Sequence, residues 1–78
     1  MTVAQSNIFR LIDGYWIAHG FAPSIQNLME MSNNKSKSNI HRIVIRLCEL
    51  GYCKRIPNKA RSVRPSYLKI RNESQKDY

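Results

Sequence analysis

The stretch that decides the fold is PSIQNLMEMSNNKSKSNIHRIVIRLCELG, residues 23–51. Ser24 is a good N-cap for a short helix predicted over about residues 25–31, with its apolar side chains on one side. Residues 32–39 contain no apolar side chain but are rich in Ser, Asn and Lys, which favours a turn. Ser36 then caps a longer helix, whose apolar residues recur at helical spacing to the end of the stretch. The sequence therefore predicts two helices joined by a polar turn.

A further helix precedes this pair. Thr2 and Gln5 have the spacing of a capping box, and the apolar residues that follow them predict a helix over about residues 3–19. Gly20 is its predicted stop, because glycine suits the left-handed position after a last helical turn. The aromatic residues of this helix lie at core spacing, which favours packing over a base-stacking platform.

A hairpin is predicted after the last helix. The runs 52–56 and 61–64 suit β-strands and are separated by the turn formers Pro57-Asn58-Lys59-Ala60. Pro65 would close the second strand, because it has no N–H to donate to a ladder. We call this hairpin, residues 52–65, the wing.

Three helices and a hairpin describe a winged helix-turn-helix, a mainly α fold with a small β-hairpin. We expect this domain to occupy residues 1–66 and to be followed by a polar C-terminal tail, residues 67–78. In a helix-turn-helix, the second helix of the pair places its first residues against base edges in the major groove. The residues predicted to read bases are Ser36, Ser38, Asn39, His41 and Arg42.

The charge of the chain is distributed unevenly. The 78 residues carry a net charge of +8, but residues 1–34 have a net charge of −1 and residues 35–78 have a net charge of +9. This concentration favours a polyanionic partner, since each neutralised phosphate of a nucleic acid releases counterions. The residues predicted to contact DNA phosphates are Ser24, Lys35, Lys37, Arg46, Lys54, Arg55, Lys59, Arg61 and Arg64.

Non-binding interpretations of the same residues remain open. Ser36 could serve only as a helix cap, and Ser38 and Asn39 could form an ordinary solvated first turn. His41 could be an exposed histidine without a role. The cations of the wing could merely prevent an exposed edge from pairing with another strand.

Several classes of protein are poorly supported. An apolar content of 42% is too high for a wholly disordered chain, and no apolar run approaches the length of about 18–20 residues that spans a bilayer. The polar N-terminus does not resemble a signal peptide. Cys48 and Cys53 lack zinc-site spacing, so two free thiols in a reducing cytoplasm are expected, although one disulfide stays open. We expect no metal, cofactor, small-molecule ligand or membrane contact.

An enzyme is not expected. The acidic residues Asp13, Glu30 and Glu49 are scattered along the chain. Neither histidine forms a Ser/His/Asp or metal-binding arrangement with them.

The N-terminal residues also follow a family pattern. In register and without a gap, the matching residues are Thr2, Gln5, Ile8, Phe9, Leu11, Ile12, Gly20, Pro23, Ser24 and Leu28. This pattern resembles the opening of the DNA-binding domain of LexA-type repressors, T-x-x-Q-x-x-(V/I)-(F/L)-x-(L/F)-I followed by Gly and a Pro-(Ser/Thr) cap. The resemblance continues through Ser36, Leu47, Gly51 and Tyr52 into residues 58–65, and spans about residues 2–68.

The resemblance implies a winged helix-turn-helix that binds operator DNA through the start of its third helix. Two departures concern the target sequence. Lys37 stands where many relatives have Pro, and His41 and Arg42 stand where acidic residues are frequent, so we expect an unusual operator. Relatives continue into a self-cleaving Ser-Lys domain, and this chain ends at Tyr78, too soon to hold one. We therefore expect a small free-standing product, of a kind that suits phages and other mobile elements, with a fragment of a longer repressor as the alternative.

Two functions follow as hypotheses. The first is a sequence-specific regulator of transcription, a small cytoplasmic repressor that binds double-stranded DNA, with a homodimer on the DNA as an expected form. The second is a protein-binding module on the same fold, an antirepressor or an inhibitor of a host nucleoprotein complex with a host protein as its partner.

Overall fold

The computed structural model describes residues 1–68. Its elements, in chain order, are α1 (Val3–His19), α2 (Ile25–Ser32), α3 (Lys37–Glu49), β1 (Cys53–Lys54) and β2 (Arg64–Pro65). The strands pair antiparallel, with Cys53 opposite Pro65 and Lys54 opposite Arg64. The predicted winged helix-turn-helix of three helices and a two-stranded wing is confirmed. Most of the predicted tail, residues 69–78, lies outside the described residues.

The ends of α1 are set by local hydrogen bonds. Thr2 and Gln5 form the predicted capping box, in which Thr2 Oγ1 accepts from Gln5 N at 3.1 Å and Gln5 Oε1 accepts from Thr2 N at 3.0 Å. Gly20 takes a φ of 78° and donates its N–H to the carbonyl of Trp16 at 2.8 Å. Glycine adopts the left-handed conformation without the cost that other residues incur, and this conformation at Gly20 ends the helix at the predicted position.

The start of α2 carries a second capping box. Ser24 Oγ accepts from Asn27 N at 3.0 Å, and Asn27 Oδ1 accepts from Ser24 N at 3.0 Å. Asn27 occupies the place that Glu or Gln usually takes in this motif, so the sequence pattern identified only the Ser24 cap. The helix ends at Ser32, and the cap residue after it, Asn33, is left-handed with a φ of 57°.

One apolar core joins the three helices and the wing. Its buried members are Ile8, Ile12, Leu28, Ile40, Val44, Leu47, Cys53 and Val63. Burial of each large aliphatic side chain contributes about 1.5–3 kcal/mol to the free energy of unfolding. Because α3 supplies three of these residues, its opposite face is held outward in a fixed orientation. Over residues 1–68, no helix has the length and apolar character needed to cross a membrane.

The strands of the wing are shorter than predicted. Runs over 52–56 and 61–64 were expected, but each strand has two residues. The reason lies in Ser62, whose hydroxyl accepts from Ile56 N at 3.0 Å and lies 3.0 Å and 2.9 Å from the carbonyl oxygens of Ile56 and Lys59. A side chain therefore satisfies backbone groups that a ladder would otherwise use. The second strand ends at Pro65, as predicted.

Candidate nucleic-acid interface

The turn before α3 is built by side chains rather than by glycine. Asn34 Oδ1 accepts from Ser36 N at 2.9 Å, and Ser36 Oγ accepts from Asn39 N at 3.2 Å. These bonds satisfy N–H groups that the first helical turn leaves unpaired. No residue from Lys35 to Asn39 is buried, so α3 begins on the surface of the domain.

The five predicted base-reading residues are all exposed. They are Ser36, Ser38, Asn39, His41 and Arg42. At about 100° per helical residue, Ser38 and Arg42 lie opposite the face of α3 that is buried in the core. Asn39 and His41 lie on the two flanks of that outward face. The structure thus brings Ser38, Asn39, His41 and Arg42 together on one exposed surface, with Ser38 and Arg42 at its centre, while Ser36 lies at the start of the helix, where its hydroxyl accepts from Asn39 N.

A cleft lies along each flank of this surface. On the Asn39 side, a cleft of about 430 Å³ separates α3 from α1 and is also lined by Asn7, Arg10 and Asn34. Arg10 was not among the predicted contacts. The signal available in the sequence was that Arg10 is the only Lys or Arg among residues 1–34, on a helix otherwise interpreted as a scaffold.

The cleft on the His41 side is cationic. It has a volume of about 400 Å³ and lies between α3 and the wing, where Arg55 and Lys59 line it together with His41. A predicted base-reading residue and two predicted phosphate contacts therefore share one concave surface. Side chains of this kind, arranged around a cleft, can donate charge-assisted hydrogen bonds to a phosphodiester.

The other predicted phosphate contacts have varied surroundings. Lys35, Lys37 and Lys54 are exposed. Arg46 is exposed as well, and its Nη1 forms an ion pair with Glu49 at 3.3 Å. Ser24 is partly buried, and its hydroxyl caps α2.

Two arginines of the wing lie differently from the expectation. Arg64 is only 5% exposed, and its Nη1 donates to the carbonyl oxygen of Leu68 at 2.7 Å. A guanidinium this buried presents little surface to a phosphate, so Arg64 is not carried forward into the proposed phosphate contacts. Arg61 Nη1 faces the end of α1, where it donates to the carbonyl oxygen of Ala22 at 3.2 Å and contacts Tyr15 Oη at 3.4 Å.

Both cysteines are free thiols at the junction of α3 and the wing. Burial raises the pKa of Cys53 to about 12, and the neighbouring Cys48 thiol adds to the shift. Burial also raises the pKa of Cys48, partly offset by the positive charge of Arg55. Thiols with raised pKa values stay neutral and unreactive at neutral pH, which fits packing residues.

Known proteins are similar to this chain in sequence. A family model described as LexA DNA binding domain matches residues 1–62. The LexA repressor of Erythrobacter litoralis is 35% identical over 63 residues, which cover 81% of this chain and 27% of that protein. The LexA repressors of Granulibacter bethesdensis and Novosphingobium aromaticivorans are 38% and 41% identical over the same length.

These matches cover the elements that form the candidate interface. The chain spans about a quarter of the length of these relatives, 27% and 26% for the first two. The family match reaches from before α1 to Ser62 in the wing and includes all of α3. The chain therefore belongs to the LexA DNA-binding domain family.

Proposed function

We propose that the protein binds double-stranded DNA at a specific sequence and represses transcription by occupying a promoter. The observation that carries this proposal is the exposed start of α3, flanked by a cationic cleft on the side of the wing. Membership of a DNA-binding family supports the same conclusion. The relatives are named as repressors, which supports the sign of the regulation.

Base reading is assigned to the outward face of α3. Arg42 can donate two hydrogen bonds to guanine, and Asn39 can bond adenine in a similar way. Each such pair discriminates against a wrong base by about 1–3 kcal/mol. Because Lys37, His41 and Arg42 differ from the usual family residues, we expect the preferred site to differ from the usual family operator.

Phosphate contacts are assigned to the exposed and partly exposed cations around that face. Lys35 and Lys37 flank the start of α3, and Arg55 and Lys59 line the cleft beside the wing. Residues 35–68 hold nine Lys and Arg against one Glu, which gives the sequence-independent attraction. With DNA as its partner, we place the protein in the cytoplasm.

We propose that two copies act together on the DNA. A single α3 offers few base contacts, and specific affinity in this class usually comes from paired half-sites. A selected site with two-fold or direct repetition of a short half-site would support a homodimer on the DNA.

The proposal is tested by selection of bound sites from a random duplex pool. We expect one enriched motif with a defined half-site. The same protein should then bind the selected duplex more tightly than a scrambled duplex over a series of salt concentrations. An unenriched pool, with equal affinity for both duplexes, would contradict sequence-specific binding and favour the protein-binding alternative.

Two arginines on α3 provide a matched pair of variants. Arg42→Ala should relax the preference at one base-pair position by about 5- to 150-fold, which corresponds to the loss of about 1–3 kcal/mol of discrimination. Arg46 lies one helical turn further along and is assigned to the DNA phosphate backbone. Arg46→Ala should therefore weaken binding to the selected and the scrambled duplex by the same factor. If both variants keep the full sequence preference, the assignment of base reading to Arg42 is wrong.

A further inference from the structure

The tip of the wing, residues 55–63, is held together by its own hydrogen bonds. Ser62 is 8% exposed and its hydroxyl bonds Ile56 and Lys59, which closes the loop on itself. Asn58 is left-handed with a φ of 65°, and Lys59 N donates to the carbonyl oxygen of Ile56 at 3.2 Å. These bonds hold the wing tip in one compact conformation.

The strands alone do not fix the direction of the wing tip. Each strand has two residues, and isolated two-stranded hairpins are marginal in water. The orientation of the wing tip must then come from contacts to the helices. Trp16 Nε1 supplies one of these contacts, because it donates to the carbonyl oxygen of Val63 at 2.9 Å.

Arg61 supplies a second set of contacts, which join the wing tip to the end of α1 and the residues after it. Its Nη1 bonds the carbonyl oxygen of Ala22 at 3.2 Å and contacts Tyr15 Oη at 3.4 Å. Its guanidinium carbon lies 5.7 Å from the centre of the Phe21 ring. Arg61 does not line the cleft that holds His41, Arg55 and Lys59.

The surface that Arg61 contacts is a small aromatic cluster. The Tyr15 ring centre lies 4.2 Å from that of His19 and 5.6 Å from that of Phe21. Phe21 remains 49% exposed, so its ring face is available to a cation. A planar guanidinium can stack on a ring and donate in its own plane at once, whereas a lysine ammonium is a compact charge with no plane to stack and no fixed fork of donors.

We propose that Arg61 is a positioning residue, which orients the wing tip through Tyr15, Phe21 and Ala22 so that Lys59 meets the DNA backbone. This inference rests on the proposed DNA binding and assigns DNA affinity to uncharged residues at the end of α1. It replaces the expectation that Arg61 itself contacts a phosphate.

The test measures affinity for the selected duplex in wild type, Arg61→Gln, Arg61→Lys and Phe21→Leu. We expect all three variants to weaken binding by about three- to tenfold, the effect of one or two lost hydrogen bonds or ring contacts. Arg61→Lys keeps the charge, so a phosphate contact would be largely restored by it and a positioning contact would not. Thermal melting of each variant confirms that the domain is folded under the conditions of binding.

A double-variant cycle separates positioning from a general loss of structure. Lys59→Gln removes the charge that the wing tip presents, and it should lower the slope of log K against log salt concentration by about 0.9. In a Lys59→Gln background, Phe21→Leu should have little further effect, because the group that it positions is gone. A merely structural role would reduce affinity by the same factor in both backgrounds.

The outcomes distinguish the two levels of the proposal. If wild type binds no duplex, the proposed function fails. If wild type binds, but Arg61→Lys binds as tightly as wild type and Phe21→Leu has no effect, Arg61 is a phosphate contact and the positioning role is overturned. Equal effects of Phe21→Leu with and without Lys59 would also overturn it.

Discussion

At the scale of single residues, three arginines of the wing show that position decides what a charge does. Arg55 lines the cleft beside α3, Arg61 faces the aromatic end of α1, and Arg64 is buried with its Nη1 on the carbonyl of Leu68. All three lie between residues 55 and 64, and the same role, a phosphate contact, was predicted for each of them. Their surroundings leave Arg55 as the candidate phosphate contact among the three.

Ionisation of the Cys53 thiol makes the stability of the domain depend on pH. Its pKa is raised from an ordinary value of 9.0 to about 12 in the folded domain, because the thiol is buried. The unfolded chain loses this proton at lower pH, so the contribution of the neutral thiol is complete below about pH 9 and falls as the pH rises toward 12.

We expect the free energy of unfolding, measured with urea, to fall between pH 9 and 11 by less in Cys53→Ala than in wild type. The comparison is between slopes with pH, so the lower baseline of the variant does not affect it. Identical slopes in the two proteins would show that Cys53 titrates normally in the folded state.

At the scale of elements, the helix ends were the most predictable part of the molecule. The signals that set them, Thr2 with Gln5, Ser24, and Ser36, act within three residues of themselves. A local sequence pattern contains all the information that such a contact needs. The predicted bounds of α1 agree with Val3–His19, and α2 extends one residue beyond its prediction.

The cap of α3 links stability to the interface. Ser36→Ala removes the side-chain acceptor of Asn39 N, so we expect the domain to lose about 1 kcal/mol of stability. The matched control is Ser38→Ala, because Ser38 is exposed and lies inside the first turn. This substitution should change the free energy of unfolding by less than about 0.5 kcal/mol. Denaturant midpoints measure both. Equal midpoints for the two variants would leave Ser36 without a capping role.

At the scale of the whole molecule, the contacts that sequence reasoning missed are those that join distant parts of the chain. Arg61 and Tyr15 are 46 residues apart, and Trp16 and Val63 are 47 apart. Periodicity places each residue on a face of its own element, but does not say which element packs against that face. The exposed surface of α3 followed from the pattern of its buried residues, while the direction of the wing tip did not.

The core leaves little reserve of stability. The free energy of unfolding of a small domain is about 5–15 kcal/mol. Leu47 is 0% exposed, so Leu47→Ala should lower the free energy of unfolding by about 2–5 kcal/mol. Leu50→Ala, three residues later and 43% exposed, should cost much less. The melting temperatures of the two variants measure this difference. A small effect at Leu47 would mean that α3 is not anchored through this residue.

The hydrogen bond between Trp16 and the wing has an experimental consequence. Trp16 is the only tryptophan of the chain, and its Nε1 donates to the carbonyl oxygen of Val63 at 2.9 Å. Indole fluorescence depends on solvent access and on hydrogen bonding at this nitrogen. The emission of the unlabelled protein should therefore report whether the wing is docked on α1, and a shift on adding duplex would reveal movement of the wing without any attached dye.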